Sequence, residues 1–434
     1  MSHPPIAMIG MACRFPGGEN PEAFWELLRS GTDAIQPIPP ERFELPGRHF
    51  AGQLSELGGF DPDFFGVTPT EAASMDLQQR LMLELGVEAL QDAGQASEGL
   101  RGKKVGVFIG VSSVDYTHTQ LLSLDQVNMY TITGAATSVI ANRLSYFFDF
   151  HGPSLVVDTA CSSALTALHL ALQSLRNGQA EMALVGGVNI LLSPLLQQGF
   201  EEAQALAPDG KCKTFDAAAD GMVRGEGAGL VVLKPLAQAQ VDQDRIYAVI
   251  YGCGLSQDGQ TNGLSAPSPA GQRRSLQAAC TDAGIDPAHV NYVETHGTGT
   301  PLGDPIEARA LGEVYGQARL NSGLSPLKIG SVKTQIGHLE AAAGMAGLLK
   351  ACLSLYHRQL PPSLHFQTPN PHIPFSKWHL EVVTQLEPWQ QARLVATGKK
   401  PNESVDSPPN RSELMGVSAF GVGGTNVHVL LGAA

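Results

Sequence analysis

Short apolar runs recur at Val105–Ile109, Leu155–Val157, Met182–Val185, Leu230–Leu233, Ile246–Tyr251, Val290–Val293 and Val427–Leu431, and their length predicts buried strands. Between many of them lie segments of helical periodicity, Ser74–Ala93, Ser163–Leu175 and Leu339–Tyr356, the last two rich in alanine or glycine. Alternation of this kind predicts a layered α/β architecture. The run Ile6–Cys13 adds a first strand. No basic segment precedes it and Arg14 follows at once, which argues against a signal peptide. A strand, a tight turn with a reactive residue and an alanine-rich helix occur around Cys161 and again around His338, a faint internal echo. The pattern breaks between Trp389 and Met415, where the polar, proline-rich run Lys399 to Arg411 predicts a mobile surface insertion over 390–415.

Composition narrows the class. With 434 residues, 43% hydrophobic and 16% charged, and with 48 glycines, the chain reads as a tightly packed α/β enzyme with a substantial core. A net charge of −13 argues against nucleic-acid binding, which needs a basic surface to neutralise phosphates. No apolar run approaches the roughly 20 residues that span a bilayer, so the chain is expected to be cytoplasmic, with no membrane partner. The six cysteines (Cys13, Cys161, Cys212, Cys253, Cys280, Cys352) include no C-x-x-C pair, which predicts free thiols and no metal site. The cluster Gly225-Glu226-Gly227-Ala228-Gly229 precedes a strand instead of joining one to a helix, so it does not read as a nucleotide loop.

Candidate chemistry starts at Val157-Asp158-Thr159-Ala160-Cys161-Ser162-Ser163, where a buried strand ends and a small-residue helix begins. The first amides of a helix carry partial positive charge and lack intrahelical partners, so a thiol there is expected to ionise more readily than a free one. Two histidine motifs add weight. Glu294-Thr295-His296-Gly297-Thr298-Gly299-Thr300 follows the strand-like run Val290–Val293 and puts His296 on a glycine-rich loop. In Ser331-Val332-Lys333-Thr334-Gln335-Ile336-Gly337-His338-Leu339-Glu340, His338 opens a helix.

With Cys161 these motifs resemble the β-ketoacyl synthases, the decarboxylative condensing enzymes of fatty-acid and polyketide assembly. The opening run Ile6 to Gly18 and the stretch Asp158 to Ser163 look specifically like the ketosynthase domains of modular polyketide synthases. The likeness extends from Ile6 to His428. It implies the thiolase fold, in which two pseudo-repeated halves stack into five layers, α-β-α-β-α, around the active site. We place the division between Arg245 and Ile246, giving residues 1–245 the nucleophile and residues 246–434 both histidines. One departure is Val87, which precedes Glu88 where many relatives carry a tryptophan.

By the same resemblance, Cys161 accepts the acyl group, and the backbone amides of Cys161 and Val422 form the oxyanion hole. His296 and His338 stabilise the enolate, and Lys333 orients the site electrostatically, with Glu340 as its expected partner and Phe420 in support. Thr298 and Thr300 match positions that bind phosphopantetheine. No cofactor is expected on the chain itself, since the substrates ride on the phosphopantetheine of an acyl carrier protein. The implied partners are that carrier, a second copy in a homodimer, and other polyketide synthase domains such as acyltransferase and reductases. Non-elongating relatives that transfer or gate acyl chains often lose the histidine of the H-G-T-G-T motif; His296 is present here, which favours elongation. The chain carries no recognisable acyltransferase, reductase or carrier motif, so it reads as a discrete enzyme or as one domain of a larger one.

Overall fold

The computed structural model describes residues 3–57, 59–120, 127–389 and 414–434. Eleven strands form one continuous sheet: β1 (Ile6–Arg14), β2 (Val105–Gly110), β3 (Ser154–Val157), β4 (Met182–Asn189), β5 (Gly227–Pro235), β6 (Ala248–Gln257), β7 (Val290–Glu294), β8 (Leu327–Gly330), β9 (Leu380–Val382), β10 (Leu414–Phe420) and β11 (Thr425–Gly432). Their order is β9-β8-β7-β10-β11-β6-β1-β5-β4-β2-β3.

That order contains one pattern twice. Counting the first five strands of the chain from its start, the sheet runs third, second, fourth, fifth, first. The strands β6, β7, β8, β10 and β11 repeat it, with β9 added at the edge. The pairings repeat as well. In each set the third, second and fourth strands are mutually parallel and the fifth runs antiparallel to its neighbours. The two sets join where β1 and β6 pair antiparallel, Ile6 opposite Ile250. This is the five-layered thiolase fold, built from two pseudo-repeated halves.

Helices fill the other layers. Outside lie α1 (Leu77–Asp92) on the first repeat, and α3 (Pro269–Ala283) and α4 (Gly303–Leu311) on the second. Between the repeats run α2 (Ser163–Arg176) and α5 (Ala343–His357), whose residues Ala343 to Leu355 are all buried. Small residues make this central layer possible: a Cβ on Gly344 would fall 2.7 Å from the Leu165 side chain, so only glycine lets the two helices approach so closely.

The expected helix over Ser74–Ala93 is broken. Ser74 ends a short helix, Met75 is extended, and Asp76 restarts the chain as the cap of α1 by accepting the Gln78 N–H. The strand expected from Ile246 begins at Ala248. Of the insertion expected over 390–415, residues 390–413 lie outside the described residues; Leu414 and Met415 belong to β10 and are fully buried.

Candidate active site

The echo seen in the sequence is a shared backbone device. After β3 the chain enters a 3-10 turn, Ala160–Ser162, that continues into α2; after β8 a second 3-10 turn, Glu340–Ala342, continues into α5. The first residue of each turn is left-handed, Ala160 at φ 54 and Glu340 at φ 49. Such a conformation costs a residue with a side chain about 1–2 kcal/mol, so local bonds must hold it. At Ala160 the Asp158 carboxylate accepts its N–H at 2.9 Å, and Ser163 Oγ donates to its carbonyl at 2.6 Å while accepting the Thr159 N–H at 2.9 Å. Cys161 follows, half-buried, with its Sγ facing the backbone amides of Val422 and of Cys161 itself. The turn bearing Val422 comes close because Gly421 has no side chain: a Cβ there would lie 2.2 Å from the Thr159 carbonyl.

Burial pushes the Cys161 thiol up to about 11, and the Glu340 carboxylate adds to the rise; Lys333 and the two amides pull the other way. The expectation of an easily ionised thiol is therefore corrected. The helix terminus is present, but desolvation outweighs it.

His296 and His338 meet edge to face, ring centroids 5.2 Å apart and planes at 84°. Each ring has a backbone N–H on Nδ1, from Phe420 to His296 at 3.4 Å and from Glu340 to His338 at 3.0 Å. An Nδ1 that accepts must be unprotonated, so in both rings the single proton sits on Nε2. Burial, then the nearby Lys333, hold both imidazoles well below their ordinary range, so both are neutral. The Phe420 ring lies 5.6 Å from that of His296.

Lys333 is buried, and desolvation lowers its pKa against the upward pull of Glu294 and Glu307. Glu340 does not pair with it. Its Oε1 takes Arg224 Nε at 2.6 Å, because Arg224, on the short strand Arg224–Gly225, runs beside His338. The Thr298 and Thr300 hydroxyls lie 3.1 Å apart on the loop after His296. Val422 is 54% exposed.

Two carboxylates that the motif reading passed over build this loop. Glu307 accepts the N–H groups of His296 and Gly297, each at 2.7 Å, and Asp304 accepts those of Phe215 at 2.6 Å and Gly299 at 3.1 Å. Burial is the largest cause raising each to about 7. Their spacing of three residues at the start of α4, directly after the histidine loop, was the available signal. Among the described residues no group of three or more His, Cys, Asp or Glu is arranged to hold a metal ion.

The family Beta-ketoacyl synthase, N-terminal domain, matches residues 3–239, and its C-terminal domain matches residues 247–367. The chain belongs to the β-ketoacyl synthases. A Ketoacyl-synthetase C-terminal extension follows over residues 369–434. The ketosynthase is 49% identical over 441 residues to one of the subunits of the phenolphthiocerol/phthiocerol polyketide synthase of Mycobacterium tuberculosis, covering 98% of this chain and 22% of that protein. It thus spans about a fifth of that relative's length. Among solved structures it resembles the ketosynthase from module 6 of the bacillaene synthase of Bacillus subtilis 168, with a TM-score of 0.88 and 41% identity over 99% of this chain and 72% of the other. An oxazolomycin ketosynthase domain of Streptomyces albus JA3453 gives a TM-score of 0.89 at 37% identity, covering 99% of this chain and 74% of the other. This relative is a polyketide synthase and these neighbours are ketosynthases, and the chain shares the β-ketoacyl synthase family with them.

Proposed function

We propose that this ketosynthase loads an acyl chain onto Cys161 and joins it to a malonyl-type unit carried by an acyl carrier protein, releasing carbon dioxide. The reading is supported by one observation: Lys333 acts on the Cys161 thiol and on both neutral imidazoles, which meet edge to face.

Loading forms a bond from Cys161 Sγ to the acyl carbon and breaks the carrier thioester. The resting thiol surrenders its proton to the departing phosphopantetheine sulfur, and the amides of Cys161 and Val422 hold the tetrahedral oxyanion. The malonyl thioester then loses carbon dioxide, and the Nε2–H groups of His296 and His338 stabilise the enolate oxygen. The enolate carbon attacks the acyl carbonyl, the same amides hold the second oxyanion, and its collapse breaks the acyl–sulfur bond and frees Cys161 as a thiolate, which takes a proton from water to restore the resting thiol. Lys333 supplies a positive field, and Thr298 and Thr300 receive the phosphopantetheine arm.

The same reading supplies the surroundings: an acyl carrier partner, a cytoplasmic location, neighbouring polyketide synthase domains, a homodimer, and a division of the two halves at Arg245/Ile246. Light scattering at micromolar concentration tests the dimer. The reaction is tested by incubating the protein with acyl-carrier and malonyl-carrier and following products by mass spectrometry. A β-ketoacyl-carrier of the summed length, formed only with both substrates, is expected; acyl exchange without elongation would overturn the reading.

A further inference from the structure

One buried polar chain has no place in this chemistry. Ser418 on β10 and His428 on β11 stand directly opposite each other in the antiparallel ladder, and Ser418 Oγ lies 2.9 Å from His428 Nδ1. On the far side of the ring, Nε2 lies 2.9 Å from the Tyr315 hydroxyl, and the Cys280 thiol approaches that hydroxyl at 3.7 Å. All four side chains are buried, and burial drives the imidazole down to about 3, so it stays neutral with one proton. The thiol donates to the Tyr315 oxygen, the tyrosine hydroxyl to Nε2, and Nδ1–H to Ser418 Oγ, so the chain runs one way.

The surrounding backbone is shaped to hold it. Tyr315 sits in a π-helical turn, Gly312–Gly316, a rare geometry. Glycines at both ends seat the turn against Trp378: a Cβ on Gly312 would fall 2.5 Å from that side chain, and one on Gly316 1.9 Å from its carbonyl oxygen. The imidazole in turn occupies the space over Gly416 of β10, where a Cβ would lie 2.6 Å from the ring.

The strand thus clamped carries both halves of the reaction. Two residues beyond Ser418, the Phe420 N–H meets His296 Nδ1; two further on, the Val422 amide faces Cys161 Sγ. We propose that the Tyr315–His428–Ser418 chain sets the position of β10, so that His428 and Tyr315 are positioning residues for the oxyanion amide and for the tautomer of His296 together. The inference rests on the roles given above to Val422 and His296.

Tyr315→Phe removes one hydroxyl and keeps the ring, and Ser418→Ala removes the other end. Cys161 loading from an acyl-carrier and condensation with malonyl-carrier are measured separately, with melting temperature alongside. For Tyr315→Phe both kcat values are expected to fall about 10-fold, less than the about 10²-fold that a 1 Å misplacement can cost. KM for the carriers should hold. The acid limb of condensation should move to higher pH, because a His296 Nδ1 without its amide donor takes a proton more readily. Ser418→Ala should fall in the same direction. Wild-type rates in both variants, a change in KM alone, or a lower melting temperature with rates intact would each overturn the inference. Failure of the proposed reaction is distinguishable, since the wild-type protein itself would then make no β-ketoacyl product.

Discussion

Glu340 faces two ways: its Oε1 takes Arg224 Nε at 2.6 Å, and its charge raises the Cys161 thiol. Removing that charge should ease ionisation of the cysteine. Glu340→Gln is expected to bring the thiol down from about 11, so that Cys161 alkylates faster than in the wild type at pH 8. In the wild type the alkylation rate should climb with pH up to about 11 instead of levelling near the ordinary thiol range of about 8.5. Peptide mass spectrometry after timed iodoacetamide treatment reads both, and an unchanged rate in Glu340→Gln would remove Glu340 as a cause.

Cys161→Ala supplies no nucleophile and changes volume little, so loading should vanish with the fold intact. Intact-mass measurement of the acylated protein checks it; stoichiometric acylation at another residue would displace Cys161 from its role.

His296→Ala and His338→Ala should keep much of the loading and lose condensation by a factor of about 10²–10³ each, the usual cost of one oxyanion-type donor. If either variant elongates at near wild-type rate, that histidine is not a donor to the enolate.

Glu307 bears on stability as well. Its folded pKa of about 7 lies above the unfolded value of about 4.3, so the fold favours its protonated form. This contribution is fully present below about pH 4 and is lost as pH rises through about 7. Glu307→Gln cannot ionise, so the difference in unfolding free energy, variant minus wild type, should grow from about pH 4 to about pH 7 and then level. Urea melts at pH 5 and pH 7.5 measure it; a difference that shrinks over that range would contradict the assignment.

By its likeness to the β-ketoacyl synthases, Val422 is expected at the mouth of the acyl pocket, where a bulkier side chain would narrow entry. It is small, β-branched and 54% exposed, so it cannot swing across the opening as a ring can. Val422→Phe should narrow the accepted range, with loading of branched acyl groups falling more than loading of acetyl. Equal falls would mean that the position acts only through its backbone amide.

What could be read from the chain follows from how local each feature is. The turn bearing Cys161 was visible because a strand, a short turn and a small-residue helix lie consecutively in sequence, whereas His338 lies just before its turn, Glu340–Ala342, which a short helix at Lys333–Ile336 separates from β8. Eight of the eleven sheet strands stand out as apolar runs, whereas β8, β9 and β10 were not recognised, and periodicity could not show Asp76 restarting α1. The Arg224–Glu340 pair spans 116 residues and leaves no local trace. The ionisation of Cys161 was misjudged because a helix terminus can be counted from sequence, whereas the desolvation that outweighs it depends on the whole fold. The three-residue spacing of Asp304 and Glu307 next to the histidine loop marked them as a pair, but that their oxygens turn back onto backbone amides depends on the loop's folded path.

The place of β11 in the sheet has a consequence for how this fold comes into being on the ribosome. Thr425–Gly432 follows the other ten strands in sequence yet lies between β10 and β6, in the interior of the sheet. Until it emerges, β10 lacks one neighbour, β6 presents an open edge, and the Val422 amide has no anchored turn to sit on. The first repeat can close its own ladder during synthesis, but the second must wait for β11, so the nascent chain exposes unpaired strand edges while its second repeat is being made. The oxyanion hole is therefore among the latest features of the fold to form, and a chain cut between β10 and β11 should be aggregation-prone instead of a slower enzyme.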